Sequence, residues 1–472
     1  MIYFLLISLL ILFIISFFIN EENIIAPGVV FSFGFLVQAI IAVIYAKRWE
    51  LGLHLNTYLV LTLGIAEFII VSFIVHIIYN YIRNKKANKK GIGVHGSNKQ
   101  LQEISAKIKF IKVNKLLEIL YLIFMLIVSG IYLYFVVKRV NGSFDSISSI
   151  FVAMFKFDNL SKFSDEPISL PFLITNLQKL VVVSGYWFIY VVINNYSCNK
   201  KINIVEILII IVSLASSLLC GSRTESFMII FSAVTIFIIL IQKKKNKNNV
   251  LTLKLIRNIV IVGCVFLAIF YFSAQIWGRV SKNDKVYYFA IYCGAQVKNL
   301  DIFLQEKNAY VKKSSLWGSQ TFYSIIQTLG KKIGFNGFED YKLDLPFRSV
   351  NNLDLGNVYT TFYPYIYDFG YIGEFILVLI MAIISQVVFE FTKDTKTMEC
   401  PSLSILTYSN IVNCLILSFF SNKFYENIIS ISMLKNIVFW WLFSLFLCKI
   451  NYKETFKKVK KTIIDKRTIN CQ

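Results

Sequence analysis

The run with the clearest capacity for chemistry is Gly221-Ser222-Arg223-Thr224-Glu225, five residues wedged between two apolar stretches. So short a turn leaves the first amides of the next helix, which begins near Ser226, pointing outward without partners. Those amides and the helix dipole both favour an anion. Arg223 adds a planar, permanently charged donor that suits phosphate oxygens. Such a turn could grip a lipid-linked diphosphate at a membrane face. A plainer role also fits, because Ser222 and Glu225 have the Ser-x-x-Glu spacing of a capping box and Arg223 could simply snorkel to the interface. An ordinary membrane hairpin needs no arginine, which favours the anion role for Arg223. Capping alone suffices for Glu225.

A second run covers residues 357–373 and contains Asn357, Tyr359, Thr360, Tyr363, Tyr365, Tyr367, Asp368, Gly370 and Gly373. Asn357, Thr360 and Asp368 could hydrogen-bond sugar hydroxyls, while the tyrosines offer flat faces to sugar C–H groups. An interfacial aromatic belt accounts for the tyrosines equally well. It does not account for Asn357 and Asp368, which are costly near hydrocarbon unless satisfied. Lys435 lies about seven residues inside an apolar run, a depth at which a cation invites a functional reading, although snorkelling serves as well. Arg279 and Arg348 sit in a long connection and could reach phosphate. His54 reads as structural, and His76 and His95 fall on the opposite side. The sequence has no Walker motif, no Cys/His metal spacing, no Gly-x-Ser-x-Gly and no nucleotide fingerprint. No acidic-x-acidic triplet occurs either, so neither a metal nor another cofactor is expected.

Membrane helices must position these residues. The chain has 472 residues, 56% hydrophobic and 16% charged, and about 20 apolar residues suffice to cross a bilayer. Hydropathy marks runs at 2–19, 29–46, 58–78, 119–137, 177–193, 204–220, 227–241, 259–276, 372–391, 403–420 and 428–447. The expected fold is an all-α polytopic membrane protein with about eleven spans, ten to twelve. The first run lacks a basic start and a small-residue cleavage site, so it reads as a retained span. The net charge of +22 does not indicate nucleic acid. The lysines gather between apolar runs, where they orient helices and meet anionic lipid, and no recognition helix accompanies them. With the connection 79–118 in the cytoplasm, Lys and Arg are more than twice as dense on that side, which places the N-terminus outside and the tail inside. The chain then divides into eight spans within 1–276, an extracytoplasmic loop with short helices at 277–371, three spans within 372–448, and a basic tail at 449–472. A loop that long is usually functional. Of the eight cysteines only Cys293 lies fully on the oxidising side, so no disulfide framework is expected. The chain shows no inverted repeat.

The two runs together resemble the oligosaccharide repeat-unit polymerases, the O-antigen and capsular polysaccharide polymerases of the Wzy type. Gly-Ser-Arg-Thr-Glu closes one span. After a large external loop come Asn357-Val358-Tyr359-Thr360 and Tyr367-Asp368-Phe369-Gly370-Tyr371-Ile372-Gly373. The layout is similar over nearly the whole chain, while residue-level similarity is confined to these runs. The resemblance implies a GT-C-like fold and a glycosyltransferase on the extracytoplasmic face of the bacterial inner membrane. The growing glycan would leave its undecaprenyl diphosphate for a sugar hydroxyl of the next lipid-linked unit. On that analogy Arg223 holds the leaving diphosphate, Asn357 and Asp368 with their neighbours line the acceptor side, and Asp368 or Glu225 is the general base. Lipid-linked oligosaccharide is then both donor and acceptor, and a chain-length regulator and a flippase are further partners. O-antigen ligases share the architecture but rely on a histidine in the external loop, and 277–371 contains none. The alternatives are a lipid-linked oligosaccharide flippase, expected to lack the long loop, and a solute transporter. The transporter should have broken helices and intramembrane acidic residues in paired halves.

Overall fold

Long apolar segments offer the backbone no partner but itself, and the chain responds with helices throughout. The computed structural model describes residues 1–89, 108–163, 168–199, 201–220, 223–250, 252, 257, 285–306, 317–333, 343–394 and 399–448. The first helices are α1 (Ile2–Ile19), α2 (Pro27–Ile44), α3 (Leu55–Lys89) and α4 (Lys115–Arg139). They are followed by α5 (Ile147–Phe163), α6 (Phe172–Asn199), α7 (Ile204–Leu219) and α8 (Arg223–Lys245). The long connection contributes α9 (Lys285–Gln305), α10 (Tyr323–Ile333) and a hairpin of β1 (Arg348–Val350) and β2 (Leu353–Gly356). Last come α11 (Phe362–Asp394), α12 (Leu403–Ile416), a π turn (Phe424–Ile428) and α13 (Ile431–Leu447). Capping side chains mark several starts. Asn114, Asn203, Ser402 and Ser430 each accept from an amide in the first turn that follows. Pro27 opens α2, where its missing N–H costs nothing.

Seven of these helices, α1, α2, α3, α4, α6, α8 and α11, are long and apolar enough to cross a membrane. The apolar helices α7, α12 and α13 are shorter, at 16, 14 and 17 residues. All ten fall on expected spans, and the run 259–276 lies outside the described residues. The chain is therefore an all-α polytopic membrane protein. Its apolar exterior fits that class: Phe4, Ile7 and Ile11 on α1 and Leu120, Ile123 and Ile127 on α4 are all exposed.

Contacts between connections sort them into two ends. Asn248 and Asn249 reach Glu21 and Glu22, Lys244 reaches the carbonyl of Ser197, and Asn114 reaches that of Leu447. This is the basic end. At the opposite, loop end, His54 and Thr57 both bond Asp301, and Glu50 meets Asn351. Helices thus alternate in direction as the hydropathy order requires.

The long connection is not set apart from the helices. Gly294 on α9 lies so close to α2 that a Cβ there would come within 2.8 Å of Ile41 and 3.2 Å of the Ala42 nitrogen. Gln38 on α2 bonds Gln296 at 3.2 Å, and Trp49 donates to the Tyr287 hydroxyl. The same region corrects a boundary. The ninth span was expected to start at residue 372, but α11 starts at Phe362 and turns sharply at Gly370 (φ 66°, ψ −166°), a conformation essentially reserved for glycine.

Candidate functional site

Glu225 stands in the first turn of α8, at the loop end, and cations from two other elements lie near it. Lys179 from α6 and Lys423, just before the π turn, both lie within electrostatic range of its carboxylate. Lys423 also bonds Glu426 at 2.6 Å. Burial opposes the charge on Lys423, but Glu426, and beyond it Glu225, hold the ammonium above its ordinary range. Lys179 donates to Ser432, and Lys435 on α13 donates to Asn176 at 2.6 Å while lying 5.2 Å from the Phe172 ring. Lys179 and Lys435 thus bond neutral acceptors on facing helices, and the group holds three lysines to two glutamates. Arg223 is the first residue of α8, and its side chain, like Gly221, Ser222 and Arg279, lies outside the described residues.

Local structure explains why these groups meet. Ser217 and Ser226 bond across the α7–α8 turn at 2.5 Å. Asn413 on α12 bonds both the Met228 carbonyl and Ser232 at 2.8 Å, fixing α8 against α12. Ser430 receives the Met433 amide and thereby aims α13 at α6. Between α12 and α13 the chain loosens into 3₁₀ and π turns, which bring Lys423 inward. Such a concentration of donors beside a helix start is suited to a polyanionic group.

The second run has a different character. Asp368 is buried, and both its oxygens accept backbone amides: Gln320 N at 3.0 and 3.2 Å and Thr321 N at 2.6 Å. The carboxylate anchors the turn 317–322 onto α11. Tyr359, Tyr363 and Tyr367 form a buried ladder, with Tyr359 and Tyr363 stacked at 4.2 Å. The Tyr363 hydroxyl donates to the Asp344 carbonyl at 2.6 Å, Tyr367 to the Asp344 carboxylate at 2.8 Å, and Tyr359 to the Pro346 carbonyl at 2.9 Å. Neither an aromatic belt nor an open sugar platform describes them. Arg348 donates to Tyr359 at 3.0 Å and pairs with Glu306. Burial works against its charge, but these two bonds outweigh it and keep the guanidinium above its usual range. Asn357 is half-buried, and the Thr360 hydroxyl is fully buried with no hydrogen-bond partner. The structure therefore brings Glu225 near Lys179 and Lys423, and sets Lys435 across the α6–α13 contact from Lys179. Asp368, Tyr359 and Arg348 belong to the scaffold beside them.

Lys179 and Lys423 were not singled out from sequence. Both read as ordinary interfacial lysines at span ends, and the one available signal was that Lys423 is the sole cation of a very short connection. Comparison with family models, with curated proteins and with solved structures finds no match.

Proposed function

We propose that the chain polymerises lipid-diphosphate-linked oligosaccharide repeat units at the extracytoplasmic face of the bacterial inner membrane, with its N-terminus outside and C-terminus inside. One observation carries the reading: Lys179 and Lys423 lie within electrostatic range of Glu225 at the start of α8, with Lys435 across the α6–α13 contact from Lys179, at the end of the bundle to which the long connection also folds. The lysines, joined by Arg223, would bind the undecaprenyl diphosphate of the donor. An acceptor sugar hydroxyl attacks the anomeric carbon and its proton passes to Glu225. The bond from that carbon to diphosphate oxygen breaks, and fixed cations receive the negative charge that develops there. The reaction consumes no cofactor. A GT-C-like fold, a flippase and a chain-length regulator as partners belong to this reading through the family resemblance. Deleting the gene and separating the surface glycan by gel tests it: single-unit-capped lipid in place of a ladder supports polymerisation, and an unchanged ladder refutes it.

A transporter is the second reading, because α11 is broken at Gly370 and carries buried carboxylates, as carrier helices do. Loss of lipid-linked units from the outer leaflet in the deletion strain would favour it.

A further inference from the structure

The helices α3 and α11 run in the same direction, since Gly64 meets Glu374 at one level and His76 meets Glu390 at another. Along their contact lies a polar seam in an otherwise apolar bundle. Glu374 is buried, its Oε1 has no hydrogen-bond partner, and a Cβ on Gly64 would come within 2.6 Å of that oxygen. Glycine at position 64 thus makes room for a carboxyl group between the helices. Glu67, three residues further along the same face of α3, lies within electrostatic range of Glu374 and also has a buried oxygen without a partner.

Other titratable groups nearby do not relieve the pair. Tyr365 of α11 is within range of Glu374, and Tyr425 of the π turn donates to the Leu377 carbonyl one turn along. Among the described residues no lysine or arginine meets either carboxylate. Toward the basic end the seam continues through Ser72, Ser385 and Gln386, each with a buried unpartnered oxygen. It ends at Glu390, which accepts from Gln386 at 2.7 Å, meets His76 at 2.6 Å and Lys393 at 3.1 Å, and has Tyr408 of α12 in range.

Two carboxylates within electrostatic range of each other in a low-dielectric setting are not readily both ionised without a compensating positive charge. A metal ion would draw further oxygen ligands, and among the described residues no three His, Cys, Asp or Glu side chains converge here. We propose that Glu67 and Glu374 form a proton-binding carboxyl pair in the membrane-spanning part of the protein, one that exchanges its proton with the basic end along the polar seam that ends at Glu390 and His76. The inference is independent of the polymerase reading and holds equally for a transporter.

The test is infrared spectroscopy of the purified protein in lipid nanodiscs, with dicyclohexylcarbodiimide labelling read by peptide mass spectrometry. At neutral pH the wild type should give the carbonyl stretch of a protonated carboxyl, shifted in deuterium oxide and absent from Glu67→Gln/Glu374→Gln. The reagent, which attacks protonated carboxyls in apolar surroundings, should label Glu67 or Glu374 in the wild type. Labelling should be insensitive to sodium. Glu390→Gln should keep the band but slow its deuterium shift at least tenfold. A band retained in the double variant, or absent from the wild type, overturns the pair. Should the double variant fail to fold, wild-type labelling decides: no modification at either residue overturns it, and suppression by sodium at constant pH replaces the proton with a metal ion. An unchanged exchange rate in Glu390→Gln overturns the route.

Discussion

On α11, Asp368 and Glu374 stand on either side of the break at Gly370, and both are buried carboxylates. Asp368 accepts three amide bonds from the turn at Gln320 and Thr321, whereas Glu374 has an oxygen with no partner and a second acid opposite. A buried charge with directed donors acts as a structural fastener, while one without donors must take up something from outside the fold. The same contrast separates the loop end, where cations meet acceptors, from the Glu67–Glu374 stretch of the α3–α11 seam, where among the described residues no lysine or arginine meets either carboxylate. Two carboxylates therefore serve opposite purposes on one helix, and the surrounding donors decide which.

Substitutions can break or sharpen that contrast. The largest effect belongs to the cation cluster. Arg223→Ala and Lys423→Ala should each lower polymerisation by about a hundredfold or more, the range seen when a donor to developing charge is removed. Arg223→Lys should recover little, because a point charge cannot replace a planar fork. Activity is measured as elongation of lipid-linked units at matched membrane levels, and wild-type ladders from these variants would return both residues to an interfacial role. Asp368→Ala comes next. It strands two buried amides and should cost about 2–4 kcal/mol of stability, measured by denaturation in mixed micelles. A variant as stable as wild type but inactive would restore Asp368 as a candidate base.

Tyr363→Phe removes one hydroxyl bond to the Asp344 carbonyl and should cost about 1 kcal/mol without altering acceptor affinity. A large rise in KM for acceptor would make the tyrosine ladder a sugar site after all. Glu374→Gln should change stability least, because it removes a carboxylate that no donor satisfies. A loss as large as that of Asp368→Ala would mean that Glu374 has a hidden partner. Excess EDTA should leave elongation unchanged, and a collapse restored by magnesium would put a metal where the lysines are assigned.

Hydropathy was a good guide where spans are apolar end to end: α1 matches its expected run 2–19 residue for residue. It failed at α11, because Tyr363, Tyr365 and Tyr367 lower the local hydropathy although all three rings are buried. Their hydroxyls find partners on distant segments, Asp344 and Asn422 among them, which a local pattern cannot reveal. Glu225 and Lys435 were legible as unusual charges, yet the approach of Lys423 to Glu225 depends on the turn between α12 and α13. Glu67 and Glu374 stand in plain view inside apolar runs. Only the parallel packing of α3 and α11 makes them a pair.

The proposal that the loop end elongates glycan is tested most directly by reconstitution. Purified protein in proteoliposomes, supplied with lipid-diphosphate-linked repeat units, should produce a ladder of elongated lipid-linked glycan, and Lys423→Ala should produce none. If the units instead remain single while crossing the bilayer in a protein-dependent manner, the chain is a transporter and the assignment of its cation cluster to glycosyl transfer is contradicted.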